Sequence, residues 1–422
     1  MKIRSVTFFD HPENFLGEDF LAQAGNFARE ARRCFGAAGL ELQTVRFASP
    51  PFSTFLSGQT NDQIIQFAID LERALKEQGF DYISLGPALP EIPQSFSVIP
   101  ELIRQTENTF CSGLMTHPEK GLSLLAVRAC GDIICQLAPQ DENGFANLYF
   151  AALGNVPAGG PFFPAAYHDG GIAKFSIAVE AADLAVEAFQ ESISFNDARK
   201  HLINLIENHG KDISASAFDL ARLSKVKFGG IDYSLAPFPD DAFSIGNALE
   251  KTGLKSIGNH GSLAAAAFLA DTIDRAKFPR SGFSGLMLPI LEDSILAKRA
   301  AEGTLDIKDM LLFSSVCGTG LDTIPLPGNA TPGQISAVLF DLAALSLRLD
   351  KPLTARLMPI PGKEAGEKTS FDFPFFANSK VMELEAEPLV NFYVGDGYLD
   401  LKQRKKADGS LDELSDNSSP TH

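Results

Sequence analysis

The chain has 422 residues, is 45% hydrophobic and carries a formal net charge of −17, with 34 Phe and no Trp. That length and apolar content support a large buried core without disulfides. The acidic balance argues against a nucleic-acid partner or an anionic membrane surface, because no basic patch stands out to neutralise phosphates.

From the N-terminus, "MKIRSVTFFDHPENF" does not read as a secretory leader, since its apolar stretch is short and acidic residues follow at once. Strand candidates then run "IRSVTFF", "QTVRFA", "YISLG", "FCSGLM", "LYFAAL", "IDYSLAP", "SGLMLP", "LLFSSVC" and "LTARLMP". Between them lie helix candidates "DQIIQFAIDLERALKEQ", "AVEAADLAVEAFQ", "NDARKHLINLIENH", "SLAAAAFLADTIDRAKF" and "GQISAVLFDLAALSLRL". Strands alternating with helices predict an α/β protein with parallel strand pairs, and near-continuous apolar strands predict burial on both faces. The longest apolar runs fall well short of the ~20 residues of a membrane span. Five cysteines (Cys34, Cys111, Cys130, Cys135 and Cys317) form no CxxC pair and read as reduced thiols of a cytoplasmic protein. The polar tail, residues 403–422, is expected to be disordered.

The chain also repeats itself. "DYISLGPALP" returns as "DYSLAPFP", "SGLMTHPEKGLSLLAVRA" as "SGLMLPILEDSILAKRA", and "NLYFAALGNVPAGGPFFP" lines up with "MLLFSSVCGTGLDTIPLP". The matches keep their order at a separation of about 150–170 residues, far longer than a solenoid period. An internal duplication follows, with half-barrels at 1–215 and 216–402 closing into one domain.

Functional loops of parallel α/β proteins gather at strand carboxyl ends. In "PAAYHDGG", His168 beside Asp169 suits acid–base work or a metal, or else a satisfied turn. Asp232, inside an apolar strand, must be paired or functional, and its repeat counterpart Asp81 favours a structural role. "SIGNHGSLAAAAF" offers Gly258, Gly261 and Ser262 as an anion-binding helix start with His260 at its mouth, or simply a cap at Ser262. Glu292 is a candidate base or ligand, followed by Asp293 as a helix cap. In "VCGTGLD", Cys317 reads as nucleophile or proton carrier, or as a small buried hydrophobe. Gly318 would let the backbone approach a ligand, and Asp322 would contact it. Arg356, among apolar residues, calls for a carboxylate of the protein or of a substrate.

The strings "DYISLGPALPE", "NVPAGGPFFPAAYHDGG", "FGGIDYSLAPFP", "HGSLAAAAFLAD" and "VCGTGLDTIPLPG" resemble the domain-of-unknown-function 711 family, also called "PFL family protein". The resemblance covers the chain to about residue 400 and brings no established reaction. It implies a barrel similar to pyruvate formate-lyase-like glycyl-radical enzymes: ten strands in two parallel halves, closed, with a hairpin threading the centre. By that resemblance "VCGTGLD" would be the inner hairpin and Cys317 its thiol. The C-terminal "RVxG" loop that holds the radical in those enzymes has no counterpart here, so two-electron chemistry is expected.

Three functions follow as expectations. The first is a thiol-dependent enzyme acting on a small anionic metabolite by lysis, acyl transfer or isomerisation, with Cys317 poised by His168 or His260. The second is a metal-dependent hydrolase or lyase using those histidines and carboxylates. The third is a non-catalytic ligand-binding protein on the same scaffold. The sequence specifies no cofactor or metal. A small-molecule ligand and a homodimer are the expected partners.

Overall fold

The computed structural model describes residues 2–12 and 16–403. The expected disordered tail therefore lies, from residue 404 on, outside the described residues.

Twelve strands are described: β1 Lys2–Phe9, β2 Leu42–Ala48, β3 Tyr82–Ala88, β4 Thr109–Leu114, β5 Thr116–His117, β6 Gly121–Ser123, β7 Phe150–Gly154, β8 Lys174–Glu180, β9 Lys227–Ala236, β10 Gly320–Pro327, β11 Leu353–Ile360 and β12 Tyr398–Leu399. Nine of them form one sheet in the order β10-β11-β7-β4-β3-β2-β1-β8-β9, and β12-β6-β5 form a small second sheet. Within the large sheet, β1, β2, β3, β4 and β7 run parallel. So do β8 with β9 and β10 with β11. Direction reverses at two seams, β1 against β8 and β7 against β11.

The two outer strands share a neighbour. Residues 280–290 meet β9 through a parallel bridge at Ile231 and Arg280, and meet β10 through another at Pro289 and Asp322. Ser281 N–H donates to Ile231 C=O at 3.0 Å, and Ile290 N–H donates to Asp322 C=O at 3.0 Å.

Helices pack one face of the sheet. Their starts follow local chemistry: Thr60 and Gln63 form a capping box on helix Asn61–Glu77, and Thr331 and Gln334 form one on helix Pro332–Leu349, which has proline in its first turn. Strand side chains alternate between faces. Phe8 joins the large helix-side core, whereas Phe9 joins Ala48, Tyr82 and Phe110 on the opposite face. Thr7, Arg46, Ser84 and Ser112 share that opposite face by the same period of two, so it is polar as well as aromatic.

A finger formed by residues 155–172 covers this inner face. Gly159 N–H donates to Tyr167 C=O at 2.8 Å, folding the finger on itself. Ser84 Oγ donates to Ala166 C=O at 2.6 Å and Ser176 Oγ to Gly159 C=O at 3.0 Å, tying the finger to β3 and β8. Gly160 comes so near Gly282 that a Cβ would lie 3.1 Å from its Cα, a close approach that glycine permits. The finger's Phe163 packs on Phe110, and its Phe162 on Phe283.

Several local expectations need correction. "LLFSSVC" is not a strand: Asp306 and Asp309 form a capping box and helix Ile307–Ser314 follows, burying Ile307, Met310, Phe313 and Ser314 at helical spacing. The strand is the next stretch, Gly320–Pro327, and "SGLMLP" touches its neighbours only through isolated bridges and single hydrogen bonds. "AVEAADLAVEAFQ" divides between the end of β8 and helix Ala182–Gln190. The loop lying on the inner face is the first-half segment 155–172, not "VCGTGLD". The sequence had set the two against each other as repeat partners, but only the first turns back across the sheet.

Candidate functional site

Buried charge concentrates on the inner face. Arg356, on β11, is 7% exposed. Its Nε donates to Asp322 Oδ1, and its Nη2 donates to Glu292 Oε1 at 2.8 Å. Glu292 Oε2 accepts from Arg4 Nη2 at 2.9 Å, so one carboxylate links β1 to β11. Asp322 is fully buried on β10, and its Oδ2 has no hydrogen-bond partner among the described residues.

The two carboxyls diverge. Burial pushes Glu292 up, but Arg356 and Arg4 outweigh it and hold it below the usual range. Burial prevails at Asp322, which stays above the usual carboxylate range despite Arg356. Arg356 itself is held charged against burial by these two partners.

Arg46, on β2, is a third guanidinium nearby. Its Nε donates to Thr44 Oγ1 at 2.9 Å, and it forms no ion pair among the described residues. Its Cζ lies 5.4 Å from the Tyr82 ring centroid and 5.0 Å from that of Phe163 at the finger tip. Burial first, then the like charge of Arg4, draws its pKa down to about 9. Arg356 stacks comparably, 5.4 Å from the ring centroid of Phe162. Phe162 also lines a cavity of about 260 Å3 between the finger and residues 280–283, with Val156, Gly159, Lys174, Arg280 and Phe283. Solvent reaches the cluster at Arg4, whose side chain is 26% exposed.

The structure thus brings together three residues singled out in the sequence, Glu292, Asp322 and Arg356, and adds Arg4 and Arg46. Both additions carried a signal. Each is a charge within a strand candidate, Arg4 in "IRSVTFF" and Arg46 in "QTVRFA", as Arg356 is in "LTARLMP".

The other candidates lie apart from this cluster. Cys317 is 1% exposed within the helix-side core, and its N–H donates to Phe313 C=O at 2.7 Å. It lies at the amino end of β10, with the Lys351 ammonium within electrostatic range. Gly318 is closely packed: its N–H donates to Leu286 C=O at 2.8 Å, and a Cβ would meet the Gly285 Cα at 2.8 Å.

His168 is fully buried at the finger's base, where its N–H donates to Ser49 C=O at 2.9 Å. Its Nε2 lies 3.0 Å from Gly171 C=O and its Nδ1 lies 3.3 Å from Asp169, which Lys174 holds at 2.6 Å. Burial lowers the His168 pKa and favours the neutral ring. His260 is exposed on the turn before helix Ser262–Arg275, in the field of Asp309. Ser262 is not the cap: it is the first helical residue, and its hydroxyl accepts from Gly258 N–H at 3.0 Å to close the preceding turn. Gly258 has φ +99° and would drive a Cβ into Thr304 C=O, while Gly261 has φ +104°.

Asp232 is satisfied structurally, accepting from Phe283 N–H at 2.9 Å, Ser284 N–H at 3.0 Å and the Ser234 hydroxyl. It pins residues 283–284 to β9, as Asp81 pins β3 to Val45 N–H of β2 at 2.7 Å. Asp293 caps helix Ser294–Glu302 as expected and also accepts from Ile245 N–H at the start of a second helix. Among the described residues, no group of three or more His, Cys, Asp and Glu is arranged to hold a metal ion. No described helix is long and apolar enough to cross a membrane.

The chain is similar in sequence to known proteins over most of its length. A UPF0210 protein of Pyrobaculum aerophilum is 35% identical over 264 residues, spanning 58% of this chain and 56% of that relative. UPF0210 proteins of Halothermothrix orenii and Pyrobaculum arsenaticum are 28% and 30% identical, covering 84% and 80% of this chain and 82% and 78% of their own lengths. Residues 1–379 match the family described as Uncharacterised ACR (DUF711), a span that contains every strand of the large sheet and all five residues of the charged cluster. The chain belongs to the DUF711 family.

Proposed function

We propose that the protein is an enzyme that binds a small anionic metabolite at the Arg4–Arg46–Arg356 cluster and moves a proton on it through Asp322. The observation that carries this is the divergent carboxylate pair. Glu292 is committed to two arginines and held ionised, whereas Asp322 keeps an unpartnered, buried oxygen and a raised pKa. Two carboxyls pushed apart by their surroundings are the usual mark of acid–base assignment. Arg46, which forms no ion pair among the described residues, is the cation that would hold the anion. The chemistry this set supports without a nucleophile is isomerisation or lysis by proton transfer.

The scaffold of this reading is a ten-stranded barrel similar to the pyruvate formate-lyase fold. Residues 280–290 act as the tenth strand that joins β9 to β10, with two five-stranded halves meeting at the antiparallel seams. The finger then occupies the centre, but its tip presents Phe162 and Phe163 and no thiol. The Cys317-dependent reading loses support from the burial of that thiol in the helix-side core.

The test is thermal-shift and calorimetric screening of small carboxylates and phosphates against the wild-type protein and Arg46→Met. The reading requires an anion whose binding is lost in Arg46→Met. Full binding by the variant would remove the site from this face.

A further inference from the structure

The inner-face cluster contains uncommitted groups of two kinds, and they describe a ligand. Arg4 and Arg356 are spoken for by Glu292 and by Asp322 Oδ1. Among the described residues, that leaves Arg46 as the guanidinium of the cluster without an ion pair and Asp322 Oδ2 as an acceptor without a partner. A buried oxygen without a partner is costly, and a ligand hydroxyl placed against it would remove that cost. With Asp322 ionised, Arg4 and Arg356 meet Glu292 and Asp322 charge for charge, and Arg46 is left without an ion pair among the described residues, so a single negative charge balances it. A guanidinium lying against aromatic rings offers its nitrogen edge, which fits the two oxygens of a carboxylate.

Building on the function proposed above, we infer that the ligand is a hydroxy-monocarboxylic acid, its carboxylate on Arg46 and its hydroxyl donating to Asp322 Oδ2. A phosphate dianion brings one charge too many beside Glu292. A simple carboxylate leaves Asp322 unsatisfied. An amino acid is neutral overall and leaves one positive charge uncompensated. The rings of Tyr82, Phe110 and Phe163 form an apolar wall next to Arg46, so an aromatic or branched body is favoured over a bare one.

The experiment is calorimetric titration of the full chain with lactate and mandelate, their deoxy counterparts propionate and phenylacetate, alanine, and inorganic phosphate, repeated on Arg46→Met. Arg46 carries no ion pair among the described residues, so this variant keeps the Arg4–Glu292–Arg356–Asp322 network. The expected result is mandelate tightest, each hydroxy acid binding at least about tenfold more tightly than its deoxy counterpart, and all binding lost in Arg46→Met. Equal binding of hydroxy and deoxy acids, with loss in Arg46→Met, would overturn the hydroxyl assignment and leave the anion site standing. A preference for alanine or phosphate would likewise overturn the ligand class alone. Binding that survives in Arg46→Met, or no binding by any of the probes, would overturn this inference, and survival in the variant would overturn the function it rests on as well.

Discussion

Two loops that the sequence aligns as repeats have opposite fates. The finger at 155–172 carries no thiol, crosses the inner face and sets two phenylalanines against two arginines. The turn at 316–320 carries a cysteine between small residues and packs at the amino end of a strand, with its thiol sealed in the core. Reactivity in isolation favours the second loop, and topology favours the first. A nucleophile needs access and a neighbour that activates it, whereas a plain loop becomes functional when the fold carries it across a polar sheet face.

The sharpest way to break this contrast is at Arg356. Arg356→Met strands Asp322 and half of Glu292 in the interior, and chemical denaturation should show a loss of about 3–5 kcal/mol. Replacing Glu292 by Gln and Asp322 by Asn in the same chain should restore most of it. A loss well under 1 kcal/mol would mean that water already solvates the network. Next comes the packing of the other loop. Gly318→Ala pushes a methyl group against the Gly285 backbone and should cost about 1–3 kcal/mol without changing anion binding. A change in binding with unchanged stability would restore a ligand role to that glycine.

Smaller still is Cys317→Ala, a cavity of one sulfur atom costing about 1 kcal/mol. Iodoacetamide should label Cys317 only once the protein unfolds, and catalysis should survive the substitution. Rapid native labelling, or loss of turnover with the fold intact, would return the site to the thiol. The smallest effect is a pH slope from His168. Its folded pKa lies below 6.5, so the folded state binds fewer protons than the unfolded chain. The stability it contributes is complete above pH 6.5 and declines as pH falls through the folded value. His168→Gln should flatten melting temperature against pH in that window, and an unchanged slope would assign it to other groups.

Much of the fold was legible. Apolar strand runs located β1, β2, β3, β4, β9 and β11, because side chains buried on both faces leave a continuous signal. Strand β10 was obscured by its own prolines, Pro325 and Pro327, and by the apolar helix before it. At the site, Glu292 was legible as a candidate base or ligand, Asp322 as a ligand contact, and Arg356 as a charge among apolar residues. That they form one network was not, because they are dispersed over 65 sequence positions and meet only through register. Arg4 stands 288 positions before the Glu292 it pairs with, so that contact too is set by the fold, and Arg46 sits between Val45 and Phe47 in an apolar strand candidate.

The seam between β7 and β11 also governs how the chain is made. Gly154 pairs with Leu353, about 200 residues later. At a synthesis rate of roughly 5–20 residues per second, β7 leaves the ribosome about 10–40 s before its second partner exists. During that interval its outer hydrogen-bonding edge is open to any passing strand. Growth temperature and translation speed, more than final stability, should therefore set how much of this protein reaches the cell in usable form.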